Sequence, residues 1–341
     1  NMIKLFITHD AAKYDIIICE IGGSVGDIES IAFFEALRQL RNDIGHTEVL
    51  FVHLTYLLYY PITKELKTKP TQTAIRGLQQ LGITPDILIC RTEHHVTKDI
   101  KEKISSHTNI PTSHIIEAIN EESIYRVPLA LIEENVHTII KGKFNLRGEL
   151  DSDKWVSLNN RISSLKKHVT IGIIGKYTEL TDAYKSLEDA IMNAGLSHEN
   201  IVDILWLDAS KPIDFSAKVI KGVIIPGGFG DRGIEEMIKV IKVLRENKIP
   251  TLGICLGMQL MAIEFCRNSL KMTNAGSAEY DNYSPNVITK MKQWGSNHYG
   301  GTMRLGEIEI QLKENSKIRE IYNDKERVLE RHRHRYALDY S

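Results

Sequence analysis

The chain has 341 residues, of which 42% are hydrophobic and 26% charged, and its formal net charge is −1 at pH 7. That length makes two domains the natural expectation, and the near-zero charge argues against a broad nucleic-acid-binding surface. No apolar stretch is long enough to span a bilayer and no signal-peptide pattern opens the chain, so we expect a cytoplasmic protein without a membrane or nucleic-acid partner. The four cysteines show no C-x-x-C spacing, which argues against a disulfide framework or a zinc site.

The first half alternates apolar runs with helical patterns, as expected for the parallel sheet of an α/β fold. Strands are predicted at 15–21, 49–54 and 87–90, and helices at 28–41 and 70–81. Glu20 closes the first predicted strand, so its carboxylate would lie at the sheet edge where open α/β sheets bind ligands. An acid in that position is more often simply solvated, but the glycine-rich run at 22–27 favours a ligand-binding role.

A second candidate site is the run Lys67-Thr68-Lys69-Pro70-Thr71-Gln72. Two cations, two hydroxyls and a predicted helix start suit the binding of a triphosphate. A lysine-rich run is more often only a solvated face, and the residues alone leave that alternative open.

Between 144 and 167 the pattern becomes irregular and polar, which is typical of an interdomain linker. A second sheet follows, with strands predicted at 169–174, 201–207, 222–225 and 251–254 and helices at 183–194 and 234–246. We therefore predict an α/β chain of two domains, 1–145 and 168–341, joined by a linker at 146–167.

Cys255 lies where the strand at 251–254 meets a helical pattern at 256–265. A cysteine at such a sharp turn is held in αL-like geometry, and the following helix N-terminus favours the thiolate. The alternative is a buried structural cysteine, which is the usual role of a lone cysteine in an apolar segment. Gly253 and Gly257 favour the nucleophile, because small neighbours allow the close backbone approach that this turn needs.

A glycine-dense loop at 226–233 follows the strand at 222–225. Such a loop can direct backbone N–H groups at a tetrahedral oxyanion beside a nucleophile. Alone it is weak evidence, since it could equally be a tight turn or a phosphate-binding loop. Together with the cysteine turn it favours acyl transfer.

These two motifs resemble those of the class I glutamine amidotransferases, in which the nucleophile lies in G-x-C-x-G and a P-G-G loop follows a strand. The runs 274–280, 300–306 and 330–336 resemble one group of that class, the CTP synthase family, and the runs 20–30, 67–72 and 81–91 resemble its synthetase domain. The resemblance implies an incomplete P-loop-like synthetase domain followed by an amidotransferase domain. The activity that it implies is the amination of UTP to CTP with ATP, using glutamine or ammonia.

The resemblance also implies roles for individual residues. In the second half these are the nucleophile Cys255, the oxyanion-hole N–H groups of Gly228 and Leu256, and the glutamine-binding residues Gln259, Glu279 and Arg333. In the first half they are the Mg²⁺ ligand Glu20 and a pyrimidine nucleotide site, for UTP or the inhibitor CTP, formed by Asp27, Ile28, Glu29, Lys67, Thr68, Lys69, Pro70, Thr71, Gln72 and, by a weaker match, Lys103. Mg²⁺, ATP, GTP as an activator and a homotetramer are further implications.

The basic run at 331–335 can equally be a solvent-facing edge strand, with arginines on one face and histidines on the other. A metal pair at His332 and His334 is not expected, because no further ligands occur at a suitable spacing. Cys266 follows Cys255 by about three helical turns and is predicted to be a core cysteine.

Two parts of the family pattern do not occur in the sequence. There is no His-Pro-Glu run to supply a general base for Cys255, and no G-x-x-x-x-G-K-[ST] loop precedes Glu20. We therefore expect these residues to be part of a longer enzyme. The alternative is an inactive nucleotide-binding fragment or assembly subunit of the same family, and a stand-alone γ-glutamyl hydrolase would leave the first 145 residues without a role.

Overall fold

The computed structural model describes residues 1–175, 181–209, 211, 213, 220–228, 230–280, 283–290, 306–332 and 334–339. The chain forms two compact units, Asn1–Ser164 and Leu165–Ser341. In chain order, unit 1 contains α1 (Met2–Thr8), α2 (Ile31–Ile44), β1 (Val52–Tyr56), β2 (Leu58–Tyr60), β3 (Glu65–Lys67), α3 (Lys69–Gln80), β4 (Ile87–Thr92), α4 (Lys98–Thr108), β5 (Ile115–Ile119), α5 (Val127–Glu133), α6 (Val136–Phe144) and α7 (Asp153–Ser164).

Unit 1 is built on a parallel sheet with the strand order β1-β4-β5. On one face, Leu88 and Cys90 of β4 pack against Ile75 of α3 and Ile104 of α4. On the other face, Ile87 packs with Ile116 of β5 and Val136 of α6. Helices therefore cover both faces, and each fully buried Ile or Leu contributes roughly 1.5–3 kcal/mol.

The strand predicted at 15–21 is wrong, because this segment is irregular and pairs with no described strand. Its apolar side chains are exposed, with Ile16 at 55% and Ile18 at 92%. An apolar run without a neighbouring strand has no ladder partner for its N–H and C=O groups, and its residue types alone do not make it a strand. A helix, Asp153–Ser164, also occupies half of the segment that we expected to be irregular.

Unit 2 contains β6 (Lys167–Ile174), α8 (Lys185–Ser197), β7 (Asn200–Leu207), β8 (Ile220–Ile225), α9 (Ile234–Glu246), β9 (Thr251–Gly253), α10 (Leu256–Asn268), β10 (Gly276–Ser277), β11 (Asn286–Lys290), β12 (Gly306–Gln311), α11 (Lys317–Ile321), β13 (Arg327–His332) and β14 (Tyr336–Leu338). Its main sheet is parallel, with the order β7-β6-β8-β9. Chain order reverses between β6 and β8, and in open sheets a ligand crevice forms at the carboxyl ends of such strands.

The core of unit 2 lies on both faces of this sheet. Helix α9 buries residues at i, i+3, i+4, i+7 and i+10 from Ile234, the spacing of one helical face. This face packs with Leu260 and Ile263 of α10 against Ile225 of β8. On the opposite face, Ile191 of α8 packs against Ile173 and Val202.

The basic run at 331–335 does not form one continuous edge strand. Strand β13 pairs antiparallel with β12 and ends at His332. Strand β14 begins at Tyr336 and pairs with β11 in another sheet. His334 and Arg335 lie between these strands, so strict alternation does not sort their side chains onto two faces.

Candidate functional site

Cys255 occupies a strained backbone conformation between β9 and α10, with φ +54° and ψ −107°. The positive φ confirms the prediction of a sharp turn, but the ψ value lies outside the αL region. Such a conformation costs a non-glycine residue about 1–3 kcal/mol and persists only where surrounding structure enforces it. The cost is characteristic of a nucleophile elbow, in which the turn exposes the reactive atom above the sheet.

Two glycines allow this turn to pack against the sheet. A Cβ at Gly257 would lie 2.0 Å from the carbonyl oxygen of Ile225, and a Cβ at Gly253 would lie 2.6 Å from the carbonyl carbon of Gly257. Backbone hydrogen bonds hold the same contact, since Ile254 N donates to Ile225 O at 2.9 Å and Gly257 N donates to Ile254 O at 3.0 Å. The prediction that both positions require glycine is confirmed.

The glycine loop lies directly beside Cys255, the predicted nucleophile. A Cβ at Gly227 would be 3.3 Å from Cys255 Cβ and 3.8 Å from its Sγ. Gly228 follows and is partly exposed, while the side chain of Leu256 is buried and begins α10. Sequence analysis did not single out Gly227, although the paired glycines after Pro226 were the available signal.

The segments that carry Gln259 and Glu279 meet around the start of β14. Gln259 is only 5% exposed, and its Nε2 donates to the backbone oxygen of Tyr336 at 3.0 Å. Burial raises the pKa of Tyr280, with further contributions from neighbouring Glu279, Asp231 and Tyr336. The side-chain amide of Gln259 thus holds the strand that follows the basic run. Arg333, which was predicted to bind glutamine, lies outside the described residues.

In unit 1, a cleft of about 1060 Å³ lies beside the predicted pyrimidine nucleotide site. Val25 and Gly26 line one part of it, and Lys67, Lys69 and Pro70 line another. The turn at 24–27 packs on α3, because a Cβ at Gly77 would lie 2.9 Å from Val25 Cγ1. The fold therefore brings together two sequence runs that are about 40 residues apart.

Charges at this cleft are partly paired. Lys67 donates to Glu65, and its Nζ lies 5.7 Å from the centroid of the Tyr60 ring. The pKa of the Glu65 carboxyl lies below its ordinary value, first because Lys67 bonds to it and also because Lys103 is near. Lys103 on α4 is thus close enough to Glu65 to affect its charge, but it is not among the residues that line the cleft, and its nucleotide-binding role stays a prediction.

Polar side chains at the start of α3 form hydrogen bonds with other side chains of unit 1. Thr71 Oγ1 lies 2.9 Å from Thr55 Oγ1, and Gln72 Nε2 donates to Thr68 Oγ1 at 3.1 Å. Thr68, Thr71 and Gln72 are all buried. These side chains hold the helix start in place, and the exposed members of the run are the ones most accessible to a ligand.

Asp27 closes its own turn, because Ser24 N donates to its Oδ2 at 2.6 Å. Gly23 and Gly26 have φ values of +86° and +105°, which favour glycine at both positions. Ile28 is 85% exposed and Glu29 is also exposed. These two side chains are accessible to solvent but do not line the cleft, whereas the Asp27 carboxylate already has a backbone partner.

Glu20 is exposed in the irregular segment, so its predicted position at a strand end is wrong. The described part of the chain contains no group of three His, Cys, Asp or Glu side chains that could hold a metal ion. Within this part of the chain, the side chains therefore do not form a protein-only magnesium site, although Mg²⁺ is commonly bound through one carboxylate plus substrate phosphates. Among the same residues, no helix is both long and apolar enough to cross a membrane.

Comparisons with known proteins agree with the two-unit architecture. The family described as "CTP synthase N-terminus" matches residues 1–146, and "Glutamine amidotransferase class-I" matches residues 179–341. The chain is 46% identical over 340 residues to the CTP synthase of Hydrogenobaculum sp. (strain Y04AAS1), covering 99% of this chain and 64% of the relative. It is 43% identical over 354 residues to that of Pelagibacter ubique (strain HTCC1062), covering 99% of this chain and 66% of the relative.

The chain thus spans about two thirds of the length of these curated relatives. A solved structure titled "Trypanosoma brucei CTPS - glutaminase domain with bound acivicin" is 31% identical, with a TM-score of 0.45 over 50% of this chain and 68% of that chain.

Proposed function

The chain belongs to the CTP synthase family, and from that membership we propose that its protein converts UTP to CTP with ATP, using nitrogen from glutamine or ammonia. The observation that carries the proposal is the strained turn at Cys255, with Gly227 packed against its side chain. A strain of that size has no packing function and is typical of catalytic positions.

In the glutaminase half, the Cys255 sulfur attacks the side-chain carbonyl of glutamine and forms a carbon–sulfur bond. The N–H groups of Gly228 and Leu256 stabilise the resulting oxyanion. Collapse of the tetrahedral intermediate breaks the carbon–nitrogen bond, and protonation of the leaving nitrogen releases ammonia. Water then hydrolyses the γ-glutamyl thioester and regenerates the thiol.

In the synthetase half, the unit 1 cleft binds the pyrimidine triphosphate. Lys67, Lys69 and Lys103 supply positive charge for the phosphates. ATP phosphorylates the 4-oxygen of UTP, and ammonia then displaces that phosphate to give CTP. Mg²⁺, when bound with the triphosphates, would neutralise part of their charge.

Further parts of the proposal concern regulation, assembly and domain limits. CTP inhibits by occupying the pyrimidine site, GTP activates, and the protein forms a homotetramer. Exposed apolar side chains on unit 1, including Met2 at 86% and Phe6 at 83%, support a surface that is covered in an assembly. The lack of disulfides among the four described cysteines supports a reducing cytoplasm. The synthetase domain covers 1–145 and the amidotransferase domain 168–341, joined at 146–167.

Replacing Cys255 with Ala tests the central proposal. Glutamine-dependent CTP formation should fall to background, while ammonia-dependent formation should stay within about twofold, because the nitrogen acceptor is in the other unit. CTP formation measured with each nitrogen donor decides the outcome. Equal loss with both donors would contradict separate sites, and nucleotide binding without any turnover in the wild-type protein would indicate the inactive subunit instead.

A further inference from the structure

An ionic cluster outside the reactive turn joins α9, α10 and the segment before β11. Arg267 Nη1 donates to both carboxylate oxygens of Glu235, at 3.0 and 2.8 Å. Tyr283 donates its hydroxyl to Glu235 Oε1 at 2.8 Å, and the Arg267 guanidinium lies 5.0 Å from the Tyr283 ring centroid. The Arg267 side chain is only 13% exposed, whereas the Glu235 side chain is 43% exposed, so the cluster lies at the boundary between the core and solvent.

The protonation states of Glu235 and Tyr283 at neutral pH favour the hydrogen bonds of this cluster. Burial raises the pKa of the Glu235 carboxyl, but bonds from Arg267 and Tyr283 outweigh that effect and leave the pKa below its ordinary value. The pKa of Tyr283 is raised, first because its hydroxyl donates to Glu235. The acceptor therefore stays ionised and the phenol stays protonated, as each hydrogen bond requires.

The same residues hold the backbone before Glu279. Arg267 Nε donates to Ala275 O at 2.6 Å. The Tyr283 side chain covers Gly276 so closely that a Cβ there would lie 2.3 Å from Tyr283 Cβ. Beyond Gly276, the fully buried Ser277 accepts from Glu279 N through its hydroxyl at 3.1 Å. A short chain of contacts thus connects Arg267 to the backbone of Glu279, the residue that carries the predicted glutamine-binding carboxylate.

Arg267 lies near the end of the helix that begins immediately after Cys255. An α-helix of that length acts as a rigid spacer of about 1.5 Å per residue. We infer that Arg267, supported by Glu235 and Tyr283, is a positioning residue. It fixes the position of Glu279 relative to Cys255 and so determines the affinity of this unit for glutamine. This inference rests on the proposed glutaminase function.

A second ion pair joins the same two helices and provides a matched control. Arg245 of α9 donates to Glu264 of α10 through Nε and Nη2, each at 2.9 Å to one carboxylate oxygen. Among the described residues, the side chains of Arg245 and Glu264 make no hydrogen bond to the residues between α10 and β11, which include Glu279. The double variant Arg245→Met/Glu264→Gln therefore removes an interhelical ion pair without disturbing the proposed positioning contacts, and it avoids leaving the buried Glu264 unpaired.

The test measures covalent modification of Cys255 in the full chain by two reagents, with the product identified by mass spectrometry. The glutamine analogue 6-diazo-5-oxo-L-norleucine reports glutamine recognition, and iodoacetamide reports thiol reactivity alone. Arg267→Met should raise the half-saturating concentration of the analogue about tenfold, with the iodoacetamide rate unchanged. Tyr283→Phe keeps the ring and loses one hydrogen bond, so a rise of about threefold is expected. The control should match the wild type.

Unchanged half-saturation in Tyr283→Phe and in any folded Arg267→Met would overturn the inference. An equal rise in the Arg245→Met/Glu264→Gln control would do the same, because it would assign the effect to general loosening of the helices. Failure of the analogue to modify wild-type Cys255, while iodoacetamide does, would instead remove the glutaminase proposal and this inference with it.

Discussion

The turn at Cys255 and the unit 1 cleft differ in how they are held. At Cys255, the backbone determines the geometry of the site. Cys255 has a positive φ, a Cβ at Gly257 would lie 2.0 Å from Ile225 O, and backbone hydrogen bonds join the turn to β8. The cleft is formed by exposed or half-buried side chains, such as Lys67 and Lys69, above a buried helix start. The first site therefore tolerates little change in shape, whereas the second depends on charges that can be altered without disturbing the core.

Gly257→Ala should produce the largest effect. The added methyl would meet the Ile225 carbonyl at 2.0 Å, so β8 and α10 must separate. We expect a loss of about 3 kcal/mol or more in the free energy of unfolding of unit 2, together with loss of Cys255 modification by the glutamine analogue. Denaturant unfolding measures the first result.

Gly142→Ala is the control for that substitution. Gly142 lies in α6, where an added methyl would meet nothing within 4 Å beyond its own helix backbone. This change should therefore stabilise the protein by up to about 1 kcal/mol. Equal effects of the two substitutions would show that the close contact at Gly257 is not a constraint.

Cys255→Gly should be more stable than Cys255→Ala by about 1–2 kcal/mol, because glycine accepts a positive φ without strain. Both variants lack the thiol and should lack glutamine-dependent activity. Chemical denaturation of the two variants measures the difference directly. If alanine were the more stable replacement, the strain assigned to this turn would be absent.

Lys67→Ala should weaken UTP binding about tenfold, or about 1.4 kcal/mol, with little change in unfolding free energy. Its ammonium lines the cleft and its ion pair with Glu65 is exposed, so it adds little to stability. Calorimetric titration with UTP provides the measurement. Lys98→Ala is the matched control, since that side chain is 87% exposed and does not line the cleft; equal losses in both variants would refute a specific phosphate contact.

Alkaline pH should destabilise unit 1 through Cys90, with the smallest effect of the series. Burial raises the pKa of the Cys90 thiol to about 12. The unfolded chain loses this proton near its ordinary pKa of about 8.5, so unfolding releases a proton above that pH and stability falls by up to about 1.4 kcal/mol per pH unit. Denaturant unfolding between pH 8 and pH 9, where the expected loss is below about 1 kcal/mol, should show a shallower decline for Cys90→Ala; parallel profiles would contradict the assignment.

Sequence analysis predicted the main strands and helices of unit 2 well, because their periodic apolar residues are also the residues that the fold buries. Helix α9 agrees with the prediction at 234–246 in both limits. The strand predicted at 15–21 failed for the opposite reason. Its residue types favour a strand, but a strand exists only where a neighbour supplies hydrogen bonds, and the sequence does not show whether such a neighbour is present.

The features of the candidate site also divide into local ones, which could be predicted from the sequence, and long-range ones, which could not. Local conformational demands, such as glycine on both sides of Cys255, could be predicted because residue identity determines which φ values and close approaches are possible. The partners of Gln259 and Arg267 could not be predicted. Each is set by packing between distant segments, and the Gln259 bond to Tyr336 joins residues 77 positions apart.

By itself, the sequence determined the α/β class, the order of most elements and the position of the candidate nucleophile, because these depend on periodicity and on local backbone sterics. Only the tertiary structure decided that Gly227 lies against the Cys255 side chain, that Thr68, Thr71 and Gln72 are buried, and that Arg267 holds the segment leading to Glu279. Those arrangements depend on which surfaces meet when helices pack on the sheet. The energy of such a contact depends on both of the segments that meet, so neither segment's sequence determines it alone.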